Sequence, residues 1–163
     1  MIFSSLPKPW GHALMNKKEP FVHTAEESTG FLLWQVTALW QRKIAEALRP
    51  HGLTQVQYAL LASLLWLSNR ESLVTQTLLA RTVKLDIMMT SQVLSKLEAK
   101  GFVDRKSHPA DRRAKVLLLT ESGREAVWKA VPDVEGADAA FFAPLARESR
   151  EFNKRLRTLI QPQ

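Results

Sequence analysis

The chain contains no cysteine. That absence excludes disulfides, thiol redox chemistry, thiolate zinc ligands and cysteine nucleophiles, and it suits a reducing compartment. Long apolar runs are missing too. The longest, Tyr58 to Leu67, is interrupted by Ser63 and falls well short of the roughly 20 apolar residues that a membrane-spanning helix needs. The opening residues lack the early basic cluster and unbroken apolar core of a secretory signal. The four histidines, His12, His23, His51 and His108, show no metal-ligand spacing. There is no Gly-rich phosphate loop, nucleophile elbow, HExxH helix or evident carboxylate pair. The expectation is a cytoplasmic protein that is not an enzyme and needs no cofactor and no metal.

What the chain does have is positive charge. Over 163 residues it carries 23 Lys and Arg against 16 Asp and Glu, a formal net charge of +7. The surplus is concentrated, with ten basic and six acidic side chains between positions 54 and 123. A basic centre of this kind points to a polyanionic partner, with double-stranded DNA foremost.

The pattern along the chain is mostly helical. Residues 1–26 hold Pro7, Pro9 and Pro20 and no sustained period, which predicts an irregular N-terminal arm. Its Ile2, Phe3, Leu6, Trp10, Leu14 and Phe21 are apolar enough to pack on something. From Ser28, Phe31, Leu33, Val36, Trp40, Ile44 and Leu48 recur at three- and four-residue steps until Pro50 and Gly52. Leu32, Trp34, Leu39 and Ala45 make further faces apolar, so this helix should be covered on more than one side. Thr54 with Gln57 forms a capping box for a helix carrying Tyr58, Leu61, Leu64, Leu65 and Trp66.

The central stretch, Thr75 to Thr120, reads as helix, turn, helix and two strands. Thr75 caps the first helix and Lys84-Leu85 turns. Asp86 caps the second, where its charge suits the positive end of the helix dipole. Along that second helix Met89, Val93, Leu94 and Leu97 are expected inside, with Thr90, Ser91, Gln92, Ser95 and Lys96 outside. Gly101 is the expected left-handed terminator. Strands then begin at Phe102-Val103 and at Lys115, joined by a turn at His108 to Asp111. Thr120 and Gly123 open a long helix with Ala126, Val127 and Ala130 inward, which Pro132 should kink or break. A last amphipathic segment, Arg147 to Ile160, should bury Phe152, Leu156, Leu159 and Ile160.

The combination TQTLLA, LD, LEAKGFV and HPADRRAKVLLLTESG resembles the MarR (multiple antibiotic resistance regulator) family. The resemblance is strong over residues 54–123 and continues more weakly through 28–49 and 124–160. Asp111-x-Arg113 followed by Leu117-x-Leu119-Thr120 is its most specific part. It implies a mainly α fold with a small β-wing, a winged helix-turn-helix flanked by N- and C-terminal dimerisation helices. The division that follows is an arm at 1–26, a dimerisation helix at 27–53, the DNA-binding domain at 54–123 and dimerisation helices at 124–163. It also implies a homodimer, a small aromatic or anionic ligand and repression relieved by that ligand. Two positions depart from the family pattern. Lys84 stands where glycine is frequent, and Ile87-Met88-Met89 replaces small hydroxyl residues. The latter change should move readout towards Thr90, Ser91, Gln92 and apolar contacts with thymine methyls.

For DNA contact the candidates are Thr90, Ser91, Gln92, Ser95 and Lys96 on the helix, with Arg105, Lys106, Arg112 and Arg113 in the wing. Gln92 is suited to adenine, because its amide matches N6 and N7. Arg112 is suited to a narrow minor groove. The resemblance gives Asp111 a part in shaping the wing. For a ligand, Trp34, Trp40 and Trp66 offer aromatic walls, and Arg49 and His51 offer charge for a carboxylate. The competing reading of those rings is core and interface filling. The leading function is a dimeric, sequence-specific DNA-binding transcriptional regulator on a pseudo-palindromic operator. The alternative is a non-specific architectural DNA-binding protein.

Overall fold

Local capping chemistry sets out the order of elements in the computed structural model, which describes residues 24–110 and 114–161. The chain divides into two units, Met1–Thr37 and Ala38–Gln163. Helix α1 (Thr29–Leu48) begins in the first and ends in the second, followed by a single 3-10 turn, Arg49–His51, that Gly52 closes at φ 62°. Thr54 starts α2 (Gln55–Ser68) through the expected reciprocal box: its hydroxyl accepts from Gln57 N at 3.3 Å, and Gln57 Oε1 accepts from Thr54 N at 3.1 Å. Thr75 does the same service for α3 (Gln76–Val83), accepting from Leu78 N. Asp86 caps α4 (Ile87–Ala99), and Thr120 caps α5 (Glu121–Phe142) by accepting from Gly123 N. Each such cap satisfies a backbone donor that a helix start leaves open, and is worth about 1 kcal/mol.

Strands β1 (Val103–Ser107) and β2 (Lys115–Leu119) pair antiparallel, with Val103 opposite Leu119 and Ser107 opposite Lys115. Residues ahead of α3 join this ribbon. Leu117 N donates to Val74 O at 2.8 Å, and Thr75 bridges to Val116. The wing is therefore tied to the start of the helix-turn-helix as well as to its end.

The core of the second unit is one aliphatic cluster. Leu48, Leu60, Leu61, Leu64, Leu79, Leu94, Leu97 and Val127 are fully enclosed; α2 packs on α3, α4, α5 and β2, and Ile44 and Leu48 at the end of α1 join the same cluster. Gly123 shows how tight the junction is. A Cβ there would overlap the Phe102 carbonyl, so only glycine lets α5 start against the backbone that leads into β1.

Three expectations need correction. Pro132 does not end its helix: α5 runs unbroken from Glu121 to Phe142. Ala130 is buried beside the proline, and Val131, Val134 and Ala137 pack on the core; these contacts hold the segment helical against the lost donor. The break falls later, at a 3-10 turn over Ala143–Leu145, before α6 (Ser149–Ile160). In α6, Phe152 and Leu156 are half-buried, but Leu159 and Ile160 are exposed. The third correction concerns α4 and bears on the site itself. The expected packing of the N-terminal arm lies outside the described residues for positions 1–23.

Candidate nucleic-acid interface

Helix α4 is fixed at both ends and along one side. At its start Asp86 Oδ1 accepts from Met88 N at 2.8 Å and Met89 N at 3.1 Å. The turn before it is left-handed at Lys84, with φ 56° and ψ 37°. A side chain in that conformation is strained by about 1 kcal/mol relative to glycine. Gln76 Nε2 donates to Ile87 O at 3.4 Å, tying α3 to the first turn of α4.

The buried stripe of α4 is Thr90, Leu94 and Leu97. Thr90 is therefore withdrawn as a DNA contact: its side chain is fully enclosed, and its hydroxyl donates to Asp86 O at 2.8 Å. A threonine that satisfies its hydroxyl on the preceding turn presents an apolar remainder, so it packs as valine would. Positions 90, 94 and 97 share a helical face, and this turns Met89 outward, contrary to the inner place expected for it.

Arg105 is also placed differently from a free DNA-contacting cation. From β1 its guanidinium reaches α4, donating to Ser91 O at 3.1 Å and Ser95 Oγ at 2.9 Å. Its Nε lies 3.3 Å from a Glu98 carboxylate oxygen, within ion-pair range but without hydrogen-bond alignment. Ser91, Ser95 and Glu98 follow one another at steps of four and three, the spacing of a single helical stripe. That stripe is the signal that marks Arg105 as a brace between wing and helix, and sequence reading passed over it. Ser95 is engaged on both sides, since its hydroxyl also donates to Ser91 O at 3.0 Å.

Gln92, Lys96 and Lys106 remain exposed, and their side chains make no hydrogen bond or ion pair with other described residues. Arg81 and Lys84 add exposed positive charge before α4. In the wing, His108 Nδ1 accepts from Ala110 N at 3.2 Å, shaping the turn. Asp111, Arg112 and Arg113 lie outside the described residues.

The aromatic candidates for a ligand site have separate partners. Trp40 Nε1 donates to Asp138 Oδ1 at 2.6 Å, joining α1 to α5. His51 Nε2 stands 2.7 Å from Asp133 Oδ2. The Trp66 ring, half exposed, is covered by Arg70 at 4.2 Å from its centroid. Trp34 and Arg49 are exposed. His51 lines an open cavity of about 360 Å³ with Phe102, Ser122, Glu125 and Lys129, the last two paired at 3.2 Å. A second hollow, of about 440 Å³, lies between α5 and α6 and is walled by Phe142, Leu145, Phe152 and Leu156, with Glu135 and Asp138 also in its lining. Tyr58 is close to the same carboxylates. Partial burial pushes its hydroxyl above the usual phenol range, and the negative charges of Glu135 and Asp138 push it further.

Among the described residues no group of three or more His, Asp or Glu side chains is placed to hold a metal, and no helix is long and apolar enough to cross a membrane.

Comparison with known proteins bears on the same region. Residues 53–115 match the model described as the MarR family. The chain is 45% identical over 134 residues to the uncharacterized HTH-type transcriptional regulator YdcH of Bacillus subtilis (strain 168), covering 82% of this chain and 90% of the relative. It is 32% identical over 131 residues to the HTH-type transcriptional repressor Rv2887 of Mycobacterium tuberculosis (strain ATCC 25618 / H37Rv), covering 80% of this chain and 91% of that one. Among solved structures it is similar to CouR from Rhodococcus jostii RHA1 bound to p-coumaroyl-CoA, at 25% identity and a TM-score of 0.73, over 86% of this chain and 96% of that one.

Proposed function

This chain belongs to the MarR family of transcriptional regulators, and we propose that it works as a cytoplasmic homodimer that represses from a pseudo-palindromic operator and is released by a small aromatic or anionic ligand. One observation carries the reading. Helix α4 is locked from behind by its buried stripe, its Asp86 cap and the Arg105 brace, while Gln92 and Lys96 stand exposed on it and Lys106 beside it. A face so held, with polar and cationic side chains left over, suits insertion in a major groove.

A division of labour fits the same arrangement. Gln92 reads a base and Lys96 and Lys106 neutralise phosphates, while Arg112 and Arg113, outside the described residues, are assigned to the adjacent groove by their charge alone. Ser91 and Ser95 serve mainly to anchor Arg105. The outer parts of α1, together with α5 and α6, join two copies so that the two reading helices meet half-sites about one helical turn apart. Repression draws support from Rv2887, named as a repressor, and the ligand response from CouR, solved with p-coumaroyl-CoA. Of the five residues considered for a ligand, His51 is the one that lines a described cavity, beside Phe102 and a Lys129 already paired with Glu125, so it is the residue to test first. Its role is regulation, and no catalytic step is assigned to any residue.

Operator selection from a random duplex pool, repeated with aromatic acids present, tests this reading. The expected result is an inverted repeat whose occupancy falls when one of the acids is added, with steep salt dependence from phosphate neutralisation. Gln92→Ala should relax specificity at one base per half-site. Lys106→Ala should weaken all sequences alike and reduce the salt slope. His51→Ala should preserve operator binding and blunt release. A pool without any enriched motif would favour an architectural DNA-binding protein instead.

A further inference from the structure

With Thr90 turned inward, the leading end of α4 shows three consecutive apolar side chains to solvent: Ile87, Met88 and Met89 are 44%, 67% and 47% exposed. Part of the backbone beneath them is already engaged. Met88 N and Met89 N are donated to Asp86, and Ile87 O accepts from Gln76. Those two amides therefore have no hydrogen to offer a phosphate. What this end of the helix offers a partner is mainly apolar surface.

The setting of that surface is cationic. Arg81 and Lys84 precede it, and Lys96 and Lys106 are exposed on α4 and β1, so the partner it fits is a polyanion that carries apolar groups. Duplex DNA has such a group in the major groove: the C5 methyl of thymine is the one apolar feature on the base edges there. Methionine is unbranched and polarizable, which lets it follow the shape of a methyl-lined groove floor.

We propose that Ile87, Met88 and Met89 read thymine methyl groups, so that the operator carries thymines beneath the start of α4 and part of its specificity comes from apolar contact rather than hydrogen bonding. This rests on the regulator reading above and adds to it the class of base recognised. The same three residues also make the site sensitive to a change that leaves every Watson–Crick and groove hydrogen bond intact, namely loss of the methyl.

The experiment uses the full chain and its selected operator, with thymidine replaced by deoxyuridine one position at a time. Removing a methyl that is buried at the interface should weaken binding about fourfold at the bases beneath Ile87 to Met89, and leave other positions unchanged. Met88→Ser and Met89→Ser should flatten that thymine-to-uracil difference while thermal unfolding stays as in the parent chain, since both side chains are exposed. An operator in which no methyl matters overturns the inference and leaves the regulator reading standing. Failure to select any duplex overturns both. If Met88→Ser changes sedimentation of the chain but not its affinity for DNA, the patch serves a protein contact and the inference is wrong.

Discussion

Two regions of this chain treat their apolar side chains in opposite ways. From α2 to the start of α5, Leu60, Leu61, Leu64, Leu79, Leu94 and Leu97 are wholly enclosed within one chain. Along α1 and α6, Phe31, Leu33, Trp34, Leu39, Leu159 and Ile160 are exposed, with Trp34 and Leu159 more than 60% so. Similar residue types at similar helical spacing thus meet different fates. The first region encloses that leucine cluster and leaves only Trp66, Ile87, Met88, Met89 and a few others outside it, whereas the second leaves most of its apolar side chains exposed, and exposed apolar area on this scale marks interaction surface. On the proposed reading, the helix-turn-helix and wing meet the DNA, and the flanking helices join two copies.

The largest expected effect sharpens this contrast. Leu79→Ala should cost about 2–5 kcal/mol at any protein concentration, as a cavity opens in a closed core. Leu159→Ala should cost under about 0.5 kcal/mol in dilute protein, and its effect should grow as concentration rises and two copies pair. Chemical unfolding at several protein concentrations separates the two. Equal, concentration-independent losses would erase the distinction between the regions.

Gly123→Ala comes next. Its methyl would run into the Phe102 carbonyl, so the α5 start and the β1 entry must move apart, at a cost of about 2–3 kcal/mol. Urea unfolding should report that loss, and operator affinity should fall with it. An alanine tolerated without cost would mean that the wing is not clamped between α4 and α5.

The effect at Lys84 is smaller and of opposite sign. Lys84→Gly relieves a left-handed residue and should raise stability by up to about 1 kcal/mol, less the greater freedom of glycine in the unfolded chain. Thermal unfolding should show a higher midpoint. A lower midpoint would mean that the lysine side chain contributes more to the turn than its backbone costs.

The smallest expected effect is a pH dependence. Tyr58 is the sole tyrosine, and its folded hydroxyl titrates above the ordinary value of 10.0. A group whose pKa is raised on folding stabilises the fold fully below the unfolded pKa, and that contribution disappears as pH rises through the folded one. Stability should therefore decline above pH 10.0, and less steeply in Tyr58→Phe. Unfolding curves in that range, with tyrosinate absorbance as a direct readout, check both parts.

Much of the architecture was legible because capping chemistry is local. Thr54 with Gln57, Thr75, Asp86, Gly101 and Thr120 with Gly123 each announce a boundary through residues a few positions apart, and each is found at its place. Burial within an element was harder to read. Met89 and Thr90 are neighbours, and hydropathy alone sends the methionine inward. The structure reverses them because Thr90 satisfies its hydroxyl on Asp86 O and then behaves as a small apolar side chain. The break expected at Pro132 is absent for a related reason, as tertiary packing outweighed a local helix breaker. At the site, Gln92 and Lys96 were visible as polar residues on an exposed helix face, and Lys106 as a cation of the wing. The bracing role of Arg105 was not, because it depends on a strand reaching back to a stripe on the preceding helix.

On the proposed reading, the uncovered helices present two reading heads to one duplex. The mass of the complex formed on the selected operator tests it most directly. Two chains should bind one duplex carrying an inverted repeat, and Leu159→Asp should abolish that complex while the winged region stays folded. A tight, specific complex of one chain per duplex, unaffected by Leu159→Asp, would contradict the account.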